Sequence, residues 1–279
     1  MMEKMARQRK QQSRELKSRL LFVSIVMVVM TAVPAGAASV GDPETQGKNK
    51  VAAGIEWSYV FGRDLDFIKA VRPPGRQNDR PLNFRISKGQ DLVSRISYGL
   101  FKAVDIYIKL GVVHYDFKGD VFVGNKKTVE EKLTGGDSFL YGGGFKLAYE
   151  IKPGWIVGCD AQYLTSDHEL DFSAIGIPSG AVTKAKYYTC RVQEWHAAPY
   201  LAKRIADLTP YVGVKYSDLR LDQGNPNDPR RWNDLIFNSD YNVGVFAGID
   251  WNFRDIFRLN VEGRFVDETA MSVGAVYRF

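Results

Sequence analysis

The chain ends on MSVGAVYRF, Met271 to Phe279. Its odd positions Met271, Val273, Ala275, Tyr277 and Phe279 are apolar, while Ser272, Gly274 and Arg278 between them are small or polar; Val276 is the exception. A period of two puts alternate side chains on opposite faces of a strand, so this segment has one apolar and one polar face.

Working back from it, the same alternation recurs. Phe257, Leu259, Val261 and Phe265 alternate with Arg258, Asn260, Glu262 and Arg264. Tyr241 to Phe253 places Val243, Val245, Ile249 and Trp251 against Asn242, Gly244, Gly248 and Asp250. Val212, Val214 and Tyr216 oppose Tyr211, Gly213, Lys215 and Ser217. Trp155, Val157, Cys159, Ala161 and Tyr163 oppose Gly158, Asp160 and Gln162. Phe139 to Tyr149 sets Gly142, Gly144, Lys146 and Glu150 on its second face. Ile106 to Val112 opposes Asp105, Tyr107, Lys109 and Gly111, and Ile96 to Leu100 opposes Val93, Arg95, Ser97 and Gly99. Phe84 and Ile86 share the parity of Ile96 and extend that strand outward. Val51 to Phe61 carries Ala52, Gly54, Glu56 and Ser58 on its polar side. One segment, Tyr187 to Ala202, alternates poorly: its parity slips near Gln193, and Pro199 predicts a bulge.

These segments make about ten strands, and the first, Val51 to Phe61, is about the ~9–11 residues that a tilted membrane strand needs. Short links such as Lys152-Pro153-Gly154 alternate with four long polar connections, read as loops. One has its tip at Arg72-Pro73-Pro74-Gly75, and another holds the turn-rich Gly224 to Pro229. The link Asp267-Glu268-Thr269 is short where a long one is due. Eight or twelve strands are compatible with the pattern if the long loops lose or gain a hairpin.

A soluble sandwich would alternate too, but it would bury its large rings mid-core. Here Tyr98, Tyr149, Trp155, Trp251, Phe253 and Phe257 cluster at one set of strand ends, and Trp57, Phe61, Phe139, Tyr163, Tyr216 and Phe265 at the other. Aliphatic residues lie between. Two aromatic girdles around an aliphatic band match the preference of amphipathic rings for bilayer interfaces. The closing strand, with Tyr277 third from the end and Phe279 last, resembles that of Gram-negative outer-membrane β-barrels. From about Val51 onward the chain is similar to the small barrels of the OmpA transmembrane and opacity-protein kind. The resemblance implies an all-β, closed, antiparallel up-and-down barrel set in outer-membrane lipid. It also implies that Met271, Val273, Ala275, Tyr277 and Phe279 form the signal that barrel-assembly machinery reads. An even strand count then leaves both barrel ends on the periplasmic side.

The three parts of the chain are read as a signal peptide (1–38), a flexible lead-in (39–50) and the barrel (51–279). The first has a basic region ending at Arg19, an apolar run from Leu20 to Val33, and Pro34-Ala35-Gly36-Ala37-Ala38 placed for cleavage after Ala37 or Ala38. The fourteen residues of that run, Ser24 and Thr31 among them, fall short of the ~20 that a spanning helix needs. The net charge of +6 also comes from there: residues 1–38 hold seven basic and two acidic groups, leaving 31 against 30. The basic balance is therefore no sign of nucleic-acid binding.

The polar faces collect a lumen charge network of Glu56, Arg95, Lys109, Lys146, Asp160, Lys215, Asp250, Arg258, Glu262, Arg264 and Arg278. Near balance of the two signs, with many glycines, predicts interlocked ion pairs filling a narrow interior. A structural or surface-interaction role without enzymatic activity follows, with a narrow pore for ions or small solutes as the alternative. Outer-membrane proteases of the omptin kind use acidic residues and a histidine at the external rim. His114 with Asp116, and Asp167 with His168, are the residues that a hydrolase reading would use, although no spacing matches that family's motifs. No catalytic, cofactor or metal constellation stands out: Cys159 and Cys190 lack paired-ligand spacing. They lie on neighbouring strands, where a cross-strand disulfide is expected if they face each other.

Overall fold

The computed structural model describes residues 39–70, 80–123, 126–176, 179–180, 182–224, 235–253 and 256–279. The segment read as a signal peptide, the tip at Arg72-Pro73-Pro74-Gly75 and most of the Gly224 to Pro229 turn lie outside the described residues. Among the described residues twelve strands form: β1 (Val51–Ala70), β2 (Arg80–Phe101), β3 (Val104–Val123), β4 (Lys126–Gly135), β5 (Ser138–Lys152), β6 (Trp155–Gly176), β7 (Val182–Lys203), β8 (Leu208–Gly224), β9 (Leu235–Ser239), β10 (Val243–Phe253), β11 (Phe257–Phe265) and β12 (Thr269–Arg278). Every pairing between them is antiparallel.

The strands close into two stacked rings of different size. At the short-turn end the ring is β1-β2-β3-β5-β6-β7-β8-β10-β11-β12, ten strands, sealed where Ala52 to Tyr59 pair with Arg278 to Met271. Beyond it, β3 leaves β5 and pairs with β4, β6 takes β4 as its neighbour, and β9 replaces β10, β11 and β12 between β8 and β1. That second ring, β1-β2-β3-β4-β6-β7-β8-β9, has eight strands. Closure leaves neither ring with an unpaired edge.

The two rings have opposite polarity. On β3 the outward residues Ile106, Ile108, Leu110 and Val112 give way to His114, Asp116, Lys118 and Asp120. Its inward residues change in reverse, from Asp105, Tyr107 and Lys109 to Val113, Tyr115 and Phe117. On β7, likewise, inward His196 and Glu194 are followed by Val192 and Cys190. The ten-stranded ring is thus apolar outside, as a barrel in hydrocarbon must be. The eight-stranded ring is apolar inside, as a barrel in water must be. Trp195, Tyr163, Tyr216, Tyr241 and Phe265 stand exposed at the changeover.

Several expectations change accordingly. The long connections read as loops are mostly strand, forming the eight-stranded extension. Phe84 and Ile86 face inward, because the register shifts between Ile86 and Lys88 and turns the face over. From Cys190 to Ala202 β7 holds one parity, with Cys190, Val192, Glu194, His196, Ala198, Tyr200 and Ala202 all buried, and Pro199 makes no bulge. Cys159 stays paired with Pro199, and the β8 register is the same on both sides of it. A proline lacks only its own N–H, so it interrupts one ladder bond without displacing the strand. The lead-in 39–50 does not hang free: Ser39, Val40, Asp42 and Gln46 are buried inside the ten-stranded ring.

Candidate functional site

The lumen is the candidate site, and it is filled in three layers. At the short-turn end the filling is the chain's own residues 39–50. Their polarity, which suggests a loose tail, is matched by the charged wall around them. Lys146 donates to the Val40 carbonyl at 2.9 Å and to that of Asp42. Arg258 pairs with the Asp42 and Glu44 carboxylates. Arg278 donates to the Gln46 side chain at 2.6 Å and to the Thr45 carbonyl at 3.1 Å. The Gln46 amide donates to Asp105 at 2.8 Å, and the Tyr200 hydroxyl to the Pro43 carbonyl at 3.0 Å. The Asn49 amide then joins the segment to Gly99 at 2.7 Å, just before β1. Beside this segment lie Lys146 and Asp160, 3.8 Å apart, and Asp160 also faces His196 at 3.4 Å and accepts from Tyr107 at 2.7 Å. Arg95 sits 3.8 Å over the Tyr107 ring.

Four inward tyrosines fit against glycines directly across the strand pair: Tyr107 on Gly144, Tyr115 on Gly89, Tyr200 on Gly158 and Tyr211 on Gly248. A Cβ added at Gly158 would lie 2.2 Å from the Tyr200 ring, and one at Gly248 2.4 Å from that of Tyr211. The inward glycines are the seats of these rings.

The middle layer is a closed ionic network. Lys109 meets Glu56 at 3.2 Å. Arg264 reaches Glu262 at 3.1 Å and Glu268 at 3.0 Å. Lys215 pairs with Asp267 at 2.9 Å and with Glu268. Arg63 bonds Glu194 at 2.8 Å, Ser217 at 3.0 Å and Ser239 at 2.9 Å. All these charges are buried, and the pairing meets the charges without meeting every polar atom: Arg63 Nε, Arg264 Nη2 and Asp267 Oδ1 have no hydrogen-bond partner among the described residues. The short link before β12 is now explained: Asp267 and Glu268 turn inward to anchor Lys215, Arg63 and Arg264, with Val266 at φ 85° making the bend.

The third layer is an apolar core inside the eight-stranded ring, including Leu65, Phe84, Phe117, Leu170, Leu221 and Phe237. Phe84 stacks on Phe237 at 4.2 Å and on Phe117 at 5.8 Å.

Of the predicted network, Arg95, Lys146, Asp160, Asp250, Arg258 and Arg278 stand in the first layer. Glu56, Lys109, Glu262, Arg264 and Lys215 stand in the second. Glu150 instead lies at the exposed end of β5 beside Arg204. Sequence reading missed Asp42, Glu44, Arg63, Glu194, Asp267 and Glu268, since each sits in a segment taken as tail, loop or irregular strand. The residues of the hydrolase reading do not converge. Asp167 points outward and pairs with Arg191 at 2.6 Å, while His168 is buried inward against Tyr115. His114 lies on the outer surface between Asp116 and Asp137. Burial pushes His168 down to about 4, with His114 contributing. Both cysteines are free. Cys190 pairs across the hairpin with His168 and faces inward, whereas Cys159 pairs with Pro199 and faces outward, so no cross-strand disulfide forms. Burial raises the Cys190 thiol far above its usual range. On the extension, a recess of about 620 Å³ opens among Asp64, Phe84, Arg85, Lys118, Lys127 and Glu130.

Among solved structures, the outer membrane protease OmpT from Escherichia coli aligns over 87% of this chain and 99% of its own, at 12% identity and a TM-score of 0.51. The fold is that of the Gram-negative outer-membrane β-barrels. The translocator domain of the autotransporter NalP from Neisseria meningitidis (11% identity, 96% of this chain, 98% of that chain, TM-score 0.40) also aligns. So does the outer membrane protein OprG from Pseudomonas aeruginosa (10% identity, 85% and 99%, TM-score 0.36). Scores this low add nothing to the assignment. No family model and no curated protein matches the chain. Within the barrel β12 is the closing strand, bonded on one side to β1 and on the other to β11. Its outward Val273 and Phe279 are exposed, and the Tyr277 and Phe279 rings meet edge to face at 5.0 Å.

Proposed function

We propose that this protein is an exported, non-enzymatic outer-membrane barrel that anchors a rigid extension for contact at the cell surface. The ten-stranded ring crosses the bilayer with its short turns toward the periplasm, and the eight-stranded ring projects outside. Outer-membrane lipid is its solvent, and the assembly machinery recognises β12 through Met271, Val273, Ala275, Tyr277 and Phe279. The observation that carries the reading is the filling of the lumen: a tied-in segment, a closed ionic layer and an apolar core follow one another along its axis. A solute would have to break all three. The charged recess on the extension supplies polar surface for a partner, held on strands and not on loops alone.

The test is conductance in planar bilayers of protein whose gel mobility shifts on heating, the mark of a folded barrel. A silent membrane is the expected result. Steady ohmic channels from the unaltered chain would overturn the anchor reading in favour of a pore.

A further inference from the structure

Resting on the export reading above, we propose that a signal peptidase cuts this chain between Ala38 and Ser39, and that the α-ammonium so released becomes a lumen group paired with Glu56. Water splits the peptide bond, the Ala38 side keeps the carboxylate, and the Ser39 nitrogen takes up a proton.

The first support is contact. Ser39 is 1% exposed, and its nitrogen lies 3.3 Å from Glu56 Oε1; the Val40 nitrogen lies 3.3 Å from Glu262 Oε1. Two buried carboxylates therefore face the backbone at this one point. Lys109 donates to the Ser39 carbonyl at 3.3 Å and to Glu56, closing the group on the other side. Arg264 meets the second carboxylate, Glu262. An amide offers Glu56 one hydrogen. An ammonium offers three and a full charge, and such charge-assisted bonds are roughly twice as strong.

The second support is depth. Glu56 sits midway along the part of β1 that pairs with β12, opposite Gly274. Toward the short turns the lumen is occupied by Val40 to Lys50. In the other direction it is closed by the Arg63–Glu194 and Lys215–Glu268 pairs and then by the apolar core. Small residues stand at the required places for cleavage after either Ala37 or Ala38. Cleavage after Ala38 is the choice that releases a nitrogen seen at a carboxylate, Ser39 N beside Glu56.

The experiment uses protein extracted from outer membranes, with heat-shifted gel mobility confirmed first. Loss of that shift would count against the barrel itself, and a readily labelled amino terminus in a shifted band against this inference alone. Intact mass and amino-terminal sequencing should give Ser39 as the first residue. An amine-selective reagent at neutral pH should modify that terminus at least about tenfold more slowly in the folded band than after unfolding, since it enters only when the lumen opens. Glu56→Gln should raise the folded-state rate. If that variant does not fold, chains refolded from Ser39 and chains carrying an added Gly-Ser before it should differ, the longer one losing its heat shift at lower temperature. A terminus at Ala38 or earlier, or a terminus labelled equally fast in both bands, overturns the proposal. So does equal thermal behaviour of the two refolded chains.

Discussion

Strand β3 carries both kinds of barrel on the 20 residues of one ribbon, so three substitutions along it test the change of polarity. Phe117 is fully buried in the extension, stacked on Phe84 and 5.9 Å from the Tyr115 ring. Phe117→Ala removes a whole core ring, which costs about 3–5 kcal/mol through lost transfer energy and the cavity left behind. Ile108 lies outward in the ten-stranded ring, half exposed with no protein over it. Ile108→Lys puts a charge into hydrocarbon, costing about 2–4 kcal/mol near the midplane. Lys118 occupies the same outward face ten residues further along, where water is the neighbour. Lys118→Ala should change stability by less than about 0.5 kcal/mol. Urea unfolding of refolded protein in detergent, followed by the heat-shifted band, reports the membrane ring. Limited proteolysis reports the extension. Phe117→Ala should open the extension to protease while the band shift persists. Ile108→Lys should lower the midpoint of the band shift, and Lys118→Ala should do neither. A harmless Ile108→Lys would show that the outer face of the ten-stranded ring does not touch lipid. An unchanged Phe117→Ala would show that the extension has no packed core.

Three further outcomes follow from buried groups. The His168 imidazole is held near 4 against 6.5 when unfolded, so the unfolded chain binds the extra proton first as pH falls. Stability is full above pH 6.5 and declines toward pH 4 by about 3 kcal/mol. His168→Gln should flatten that part of the extension's pH profile, and an unchanged slope would assign it to other groups. Lys215→Met leaves Asp267 without its ion-pair partner while Glu268 keeps Arg264 and Arg63, a loss of about 3–5 kcal/mol visible in the urea midpoint; an unaltered midpoint would mean the Lys215–Asp267 pair is solvated. Non-reducing mass mapping should find two free thiols, with Cys190 alkylated only after unfolding, and a Cys159–Cys190 crosslink would refute the hairpin register.

The ten-stranded ring was readable from residues because its two faces differ so sharply: Ile106, Ile108 and Leu110 against Asp105, Tyr107 and Lys109 leave one assignment. The extension was not, for two reasons. Its alternation is inverted, so Val113, Tyr115 and Phe117 look like a strand losing its outer face when they are gaining an inner one. Its new strands are also weak in sequence: β4 has only Val129 and Leu133 as apolar residues, and β9 is five residues long. Tertiary pairing with long neighbours, not local propensity, makes them strands. The lead-in failed for a related reason. Asp42, Glu44 and Gln46 look solvated in sequence because nothing local shows that Arg258, Lys146 and Arg278 await them some hundred or more residues away. The inward glycines were noticed, but the tyrosines they seat come from other strands and only register brings them together.

Dropping from ten strands to eight shortens the perimeter by about a fifth, since each strand contributes a fixed spacing. The eight outer strand ends therefore gather over a smaller circle than the membrane-level wall beneath them. On the proposed reading, a partner bound at that end meets several strand ends together over a wider footing. The taper would then make the barrel a pedestal.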